Sequence, residues 1–348
     1  MAKRILFLTA RLQPYLCSGI NALMAAADVE ILVYTQRCPE NELLRFNTGP
    51  LRIFTYDYEP ETFFWKEIRS FKPDLVFCAG WMYRIYLSWC RTLKADGAHT
   101  VCAMDTQWKG SFRQRIHLLI APFTIPSSFT HAWVPGSRQY SYAQRLGFRK
   151  EQIMEGLYAT DTRLFSATWP VSANRQATAF PKRLLYAGRL EPHKLQGLVK
   201  AFRDIADTER RGWILTIAGN GSMSDDPLLR AGNIRLLSHK SQPELAQLAS
   251  EGGVFCLCSS DEPWGMVIQE FAAAGMPLLV SHQCGASDLF LKGNGWICDG
   301  RDTADIRKQL KQIFAVSDKE LFRMAAESRK IAMHPDPEDW AAVLCALV

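Results

Sequence analysis

Short apolar runs alternate with helical patterns along nearly the whole chain, and this alternation restricts the fold more than any other property of the sequence. In the first half the runs Arg4–Thr9, Glu30–Tyr34, Leu51–Thr55, Asp74–Ala79, Thr100–Met104 and Thr130–Val134 read as strands. Helical stretches such as Thr62–Phe71 and Met82–Lys94 fall between them. Continuous apolar runs, rather than alternating ones, mark strands covered on both faces, so the pattern predicts a parallel α/β sheet with helices on both sides. The second half repeats the logic with strands at Lys182–Ala187, Trp213–Ala218, Asn233–Leu237, Val254–Cys258 and Pro277–Ser281. Between them Leu195, Leu198, Val199, Phe202 and Ile205 line one helical face; Pro243–Glu251 and Val267–Ala274 are further helices, and Ile306, Leu310, Ile313 and Phe314 mark a later one. Two doubly wound domains in tandem are expected, with ligands at the carboxyl ends of the strands.

A chain of 348 residues has the length for two such cores. The expected division is a Rossmann-like domain over residues 1–165, a linker over 166–182 rich in Pro, Ser, Thr and Ala, and a second Rossmann-like domain over 183–334. Residues 335–348 form a final helix that could pack back on the first domain. No run of about 18 apolar residues is present, so no membrane-spanning helix is expected. The start, Met1–Leu8, resembles a signal peptide, but Arg11 cuts its apolar run short and it reads as a buried first strand. Ten cysteines occur without any Cys-x-x-Cys pair, and several lie in strand-like runs. Buried free thiols in a reducing cytoplasm are expected, and no metal site.

The segment Ser260–Asp261–Glu262–Pro263–Trp264–Gly265–Met266–Val267–Ile268–Gln269–Glu270 places two glutamates eight positions apart on a loop that enters an apolar helix. Spacing alone is uninformative: with 17 Glu in the chain about one such pair arises by chance. A second pair, Glu59 and Glu67, reads as accidental. The context is what separates the two. Each strand of the second half is followed by a loop that could face a ligand. The first is Gly188–Arg189–Leu190–Glu191–Pro192–His193–Lys194, with two cations five positions apart ahead of a helix, an arrangement that suits a diphosphate or simply two surface cations. The second is Gly219–Asn220–Gly221, either a plain turn or a close backbone approach to a ligand. Trp264, Gly265 and Met266 precede a helix N-terminus, and Glu270 lies near its first turn, where a carboxylate can take two hydroxyls or merely complement the helix dipole. Gln283–Cys284–Gly285–Ala286–Ser287–Asp288 makes another turn at the same end.

Taken in order, Gly188–Arg189–…–Lys194, Ala218–Gly219–Asn220–Gly221, Glu262–Pro263–Trp264–Gly265–…–Glu270–Phe271–Ala272–Ala273–Ala274–Gly275–Met276–Pro277 and Gly285 resemble the retaining GT-B nucleotide-sugar glycosyltransferases with a Glu-x7-Glu motif. The resemblance covers about residues 155–300, including Glu155–Phe165 ahead of the linker. It implies a GT-B fold of two Rossmann-like domains facing a central cleft. It also implies transfer of a hexose-type sugar from a UDP- or GDP-sugar to a hydroxyl of a glycan or lipid-linked acceptor, as in cell-surface polysaccharide or lipopolysaccharide synthesis. Arg189 and Lys194 would neutralise the diphosphate, and Glu262 would face the donor sugar. Glu270 would bind the ribose. Gly188, Gly219, Asn220, Gly221, Trp264, Gly265 and Met266 would complete the donor site. No metal or other cofactor is implied. The first half departs from the family pattern: the loop Arg11–Gly19 has one glycine, Gly19, and Asp105 follows the strand Thr100–Met104 where many members carry a histidine. Gly19 and Asp105 are the acceptor-side candidates, with helix capping the alternative role for Asp105. A nucleotide-sugar epimerase on the same plan is the rival enzymatic reading.

All of the excess positive charge lies early. Residues 1–170 hold 20 Lys and Arg against 14 Asp and Glu, whereas 171–348 hold 21 of each. Thr106–Lys150 carries seven cations and no acid, with Trp108, Phe112, Phe123, Phe129, Trp133, Tyr140, Tyr142 and Phe148 interleaved. This fits an anionic membrane face, a nucleic acid or an anionic acceptor, or a solvated face over core aromatics. A peripheral contact with the inner face of a membrane is the expectation, and no nucleic acid; a non-enzymatic nucleic-acid binder is the competing reading.

Overall fold

The structure, a computed structural model, describes residues 2–37, 51–55, 61–167, 179–230 and 232–347. The chain forms two compact units, one made of Met1–Ala159 with Pro335–Val348 and the other of Thr160–His334. Most of the stretch expected as a linker, and Glu59 of the second glutamate pair, lie outside the described residues. No described helix is long and apolar enough to cross a membrane.

The first unit is built on seven parallel strands: β1 (Lys3–Arg11), β2 (Val29–Arg37), β3 (Leu51–Thr55), β4 (Leu75–Ala79), β5 (His99–Ala103), β6 (His131–Trp133) and β7 (Ile153–Met154). Their order is β3-β2-β1-β4-β5-β6-β7, so the direction of winding reverses between β1 and β4. Alternate residues of β1 feed opposite cores, as period-two geometry requires. Leu6 and Leu8 join Phe64, Tyr86 and Trp89 on one face, while Ile5 and Phe7 join Phe77, Trp133 and Trp340 on the other.

One segment of this unit differs from the sequence reading. The segment taken as the loop Arg11–Gly19 is mostly helix: Pro14 sits at the first turn of Pro14–Ala26, where its fixed φ and missing N–H are favourable. Gly19 therefore lies inside a helix, and a Cβ there would meet the Trp340 ring at 2.6 Å. Its small size serves packing. Trp340, on the helix Pro337–Cys345, is buried against Phe7, Phe77 and Trp133, and its indole N–H donates to the Leu157 carbonyl at 2.9 Å.

The second unit holds six parallel strands: β8 (Arg183–Ala187), β9 (Ile214–Ala218), β10 (Ile234–Leu237), β11 (Val254–Leu257), β12 (Leu278–Ser281) and β13 (Gly295–Cys298). The order β10-β9-β8-β11-β12-β13 puts β9, β8, β11 and β12 side by side, with the reversal between β8 and β11. Leu195, Leu198, Val199, Phe202 and Ile205 are all buried. The helix Val267–Ala273 is buried almost all round, and Phe271 stacks on Phe255 of β11 with ring centroids 4.3 Å apart. That contact fixes the helix on the sheet and sets the direction in which Glu270 points.

Candidate functional site

Strands β9, β8, β11 and β12 are neighbours and all run the same way, so the loops that follow them share one edge of the sheet. The crevice at a reversal of strand order is where such sheets place ligands. In this unit the reversal lies between β8 and β11, and so between the loops that follow them.

The loops after β8 and β9 are joined by backbone hydrogen bonds. Gly188 N–H donates to the Ala218 carbonyl, Leu190 N–H to Asn220, and Met223 N–H to Leu190, at 3.0, 3.0 and 2.9 Å. This contact leaves no room for side chains. A Cβ on Gly219 would lie 1.9 Å from the Gly188 oxygen, and one on Gly221 2.5 Å from the Leu190 oxygen. Loop-to-loop closure thus accounts for both glycines before any ligand is considered. Asn220 is drawn into the same network, its side-chain oxygen accepting from His239 N–H at 3.2 Å.

Arg189 and Gly188 are exposed at this edge. The Arg189 carbonyl accepts a 2.6 Å hydrogen bond from the Tyr186 hydroxyl. Burial, with the charge of Glu262 adding to it, pushes that phenol above its ordinary range and keeps it a donor. Lys194 lies in a single π-helical turn, Pro192–Gln196, and pairs with Glu262. Both side chains are only 12% exposed. The pair ties the loops after β8 and β11, as does Ser260, whose N–H and hydroxyl both donate to the His193 carbonyl at 2.7 and 3.1 Å.

The loop after β11 continues through Trp264 and Gly265, both buried, and Met266, half-buried. Trp264 accepts from Ala286 N–H at 3.0 Å through its carbonyl, and Glu262 bridges to Cys284, so this loop is laced to the one after β12. Glu270 is buried. Its Oε1 accepts from Gln242 Nε2 at 3.2 Å, and Oε2 has no hydrogen-bond partner among the described residues. Burial raises its pKa from 4.5 to about 7, the Gln242 bond opposes the rise, and the nearby charge of Asp161 adds to it. A buried carboxylate with an unpaired oxygen is costly unless something fills it.

Two of these neighbours, Gln242 and Asp161, escape a reading of the sequence. They lie 28 and 109 positions from Glu270, and no local spacing links them to it.

The acceptor-side candidates are in the first unit. Gly19 is packed under Trp340, as described. Asp105, just past β5, is half-buried and accepts from the Tyr158 hydroxyl at 3.0 Å. Its backbone carbonyl accepts from Gln139 Nε2 at 3.2 Å. Tyr15 meets Tyr158 edge to face, with centroids 4.8 Å apart, and burial beside Asp105 pushes its phenol pKa upward. Neither candidate shows the family's glycine-loop or histidine chemistry.

Residues 172–330 match the model of the family "Glycosyl transferases group 1". The match falls within the second unit. Glycogen synthase of Mycobacterium tuberculosis is 34% identical to the chain over 157 residues, 42% of this chain and 37% of the synthase. The match thus spans little more than a third of that relative. Over the whole fold, the Anabaena protein HepE in complex with UDP and glucose superposes with a TM-score of 0.75 at 16% identity, covering 99% of this chain and 98% of the other. Sucrose-phosphate synthase from Thermosynechococcus elongatus gives 0.74 at 15% identity, covering 99% and 98%. The fold is GT-B. The loops after β8, β9, β11 and β12 all lie within the residues that match this family.

Proposed function

We propose that the chain is a glycosyltransferase that moves a hexose-type sugar from a UDP- or GDP-sugar to a hydroxyl of a glycan or lipid-linked acceptor. The observation that carries the proposal is Glu270: a buried carboxylate at this edge of the sheet with one oxygen lacking a partner among the described residues. Two vicinal hydroxyls, such as those of a ribose, supply the missing donors. Arg189 is exposed on the neighbouring loop and offers a planar, bidentate partner for a diphosphate. Lys194, across from Glu262, adds a second cation.

In the reaction, the bond from the sugar's anomeric carbon to the phosphate oxygen breaks as a bond to the acceptor oxygen forms. The acceptor proton passes to the departing phosphate on the same face, which retains configuration. Negative charge grows on the diphosphate, and fixed cations there lower the barrier. Arg189 and Lys194 carry that role without a metal, and Glu262 faces the donor sugar. Similarity to HepE, crystallised with UDP and glucose, supports a UDP-sugar as donor. Likeness to the lipopolysaccharide outer core galactosyltransferase WaaB, TM-score 0.68 at 13% identity, fits a role in cell-surface glycan synthesis.

A thermal-shift panel of UDP-, GDP- and ADP-sugars identifies the donor, since a ligand raises the midpoint of the fold it binds. Arg189→Ala and Glu270→Ala should each abolish transfer with the fold intact, and EDTA should leave the rate unchanged. Full activity in either variant would remove the site assignment. NMR of the product linkage decides the anomeric outcome.

A further inference from the structure

The cation-rich stretch of the first unit divides in two in the structure. Phe129, Trp133, Tyr142 and Phe148 are core residues, as ordinary packing predicts. Phe112 and Phe123 are not: each is 80% exposed. They belong to a stripe of five apolar side chains with Ile116, Leu119 and Ile120, and these make up five of the twelve large apolar side chains exposed among the described residues.

The spacing of the stripe is i, i+4, i+7, i+8, i+11, the pattern of one helical face. The backbone agrees, running through the helix Phe112–His117, a turn with Leu118 and Ile120 in helical conformation, and the helix Ala121–Ser128. Such a face normally turns to the core. Here Ala121 and Ile125 are buried and Leu118 packs on the core, so this segment is anchored through other residues and the stripe is left in solvent. A contiguous exposed apolar face of this kind marks an interaction surface.

We infer that residues 109–123 form a docking face for an anionic phospholipid bilayer, with Phe112, Leu119, Ile120 and Phe123 entering the headgroup layer. Charge selects this occupant. Lys109, Arg113 and Arg115 are exposed beside the stripe, and no acid occurs from Thr106 to Lys150. An apolar face flanked by cations is what an interfacial segment on anionic lipid requires. A second copy of the chain would bring the same cations against each other with no acid on the face to meet them. A nucleic acid would use the cations and leave the aliphatic side chains of Leu119 and Ile120 unsatisfied.

The inference is independent of the transfer reaction, because its readout needs neither donor nor acceptor. The full chain is sedimented with phosphatidylcholine vesicles and with vesicles that also contain phosphatidylglycerol, at low salt. The chain should follow the phosphatidylglycerol vesicles and leave the neutral ones. The double variant F112S/F123S should bind about tenfold less tightly, and R113E/R115E should lose the preference for anionic lipid. All four side chains are exposed, so thermal midpoints should match the parent's, and circular dichroism checks this. No sedimentation of the parent with phosphatidylglycerol vesicles overturns the inference, as does unchanged binding by F112S/F123S. A parent dimer that F112S/F123S converts to monomer, without vesicle binding, would assign the face to a second copy instead. Retention of single-stranded RNA in place of vesicles would assign it to nucleic acid.

Discussion

Lys194 and Glu262 form an ion pair that links the two loops flanking the strand-order reversal of the second sheet. The lysine proposed to meet a diphosphate is thus held beside a carboxylate. A donor that enters must compete with Glu262 for the ammonium, or share it. The pair is a structural clasp as well as a charge store.

Removing one partner of this pair leaves the other largely shielded from water and uncompensated. Lys194→Met should lower stability to denaturant by about 2 kcal/mol, less than a fully buried pair because some exposure remains. Adding Glu262→Gln should recover more than half of the loss, since no charge is then stranded. Urea unfolding of the two single variants and the double variant checks this; additive losses would show that the pair is not coupled.

Glu270 predicts a pH effect with a definite sign. Its pKa is raised from 4.5 to about 7 in the fold, so between those values the folded protein holds a proton that the unfolded chain has released. Stability conferred by that proton is complete at low pH and falls as pH rises through this window, by about 3 kcal/mol in total. Glu270→Gln removes the dependence and should raise the midpoint at pH 8. A ribose bound through its hydroxyls prefers the charged carboxylate, so donor binding below pH 7 should release a proton. Calorimetry in buffers of different ionisation enthalpy measures that release.

Gly219 tests the closure of the loops after β8 and β9. A methyl group there would stand 1.9 Å from the Gly188 oxygen, and that neighbour is backbone. Gly219→Ala should cost more than about 3 kcal/mol, or else displace Arg189 and Lys194 and depress transfer without unfolding. Parent-like stability together with parent-like turnover would contradict the packing described.

Trp340→Ala empties a slot lined by Phe7, Phe77, Trp133 and Gly19. It should destabilise the first unit by about 3–5 kcal/mol. Hydrogen exchange resolved by region is the measurement. Protection should fall in β1 and β4 while β8 and β11 keep theirs.

Much of the fold could be read from the chain because parallel strands are long apolar runs. Leu51–Thr55 is a strand with the same ends in both readings, and Arg183–Ala187 and Leu75–Ala79 differ by one residue. The exceptions are physical. β7 has two residues, too few to show a period, and Gly295–Cys298 has four, one of them a glycine, too short a run to signal a strand. The family pattern places a loop at Arg11–Gly19, yet proline at a first turn starts a helix. Among the candidate site residues, Arg189 and Glu262 stand out by charge on strand-end loops, and Lys194 and Glu270 by charge in the helical turns that follow. What remained hidden is every relation across the sheet: Gln242 with Glu270, Lys194 with Glu262, and the approach of Gly219 to Gly188. Such contacts depend on strand order, which periodicity does not encode.

The helix Pro337–Cys345 completes the first unit although 175 residues of the second unit separate it from Ala159. On the ribosome the order of arrival is therefore inverted with respect to the order of completion. Thr160–His334 emerges as one uninterrupted stretch and has everything its own core needs before the helix Pro337–Cys345 appears. Until then the β1 side of the first unit has no Trp340, and the groove over Gly19 is open to water and to other chains. The unit begun first is thus completed only after the unit that follows it has been made.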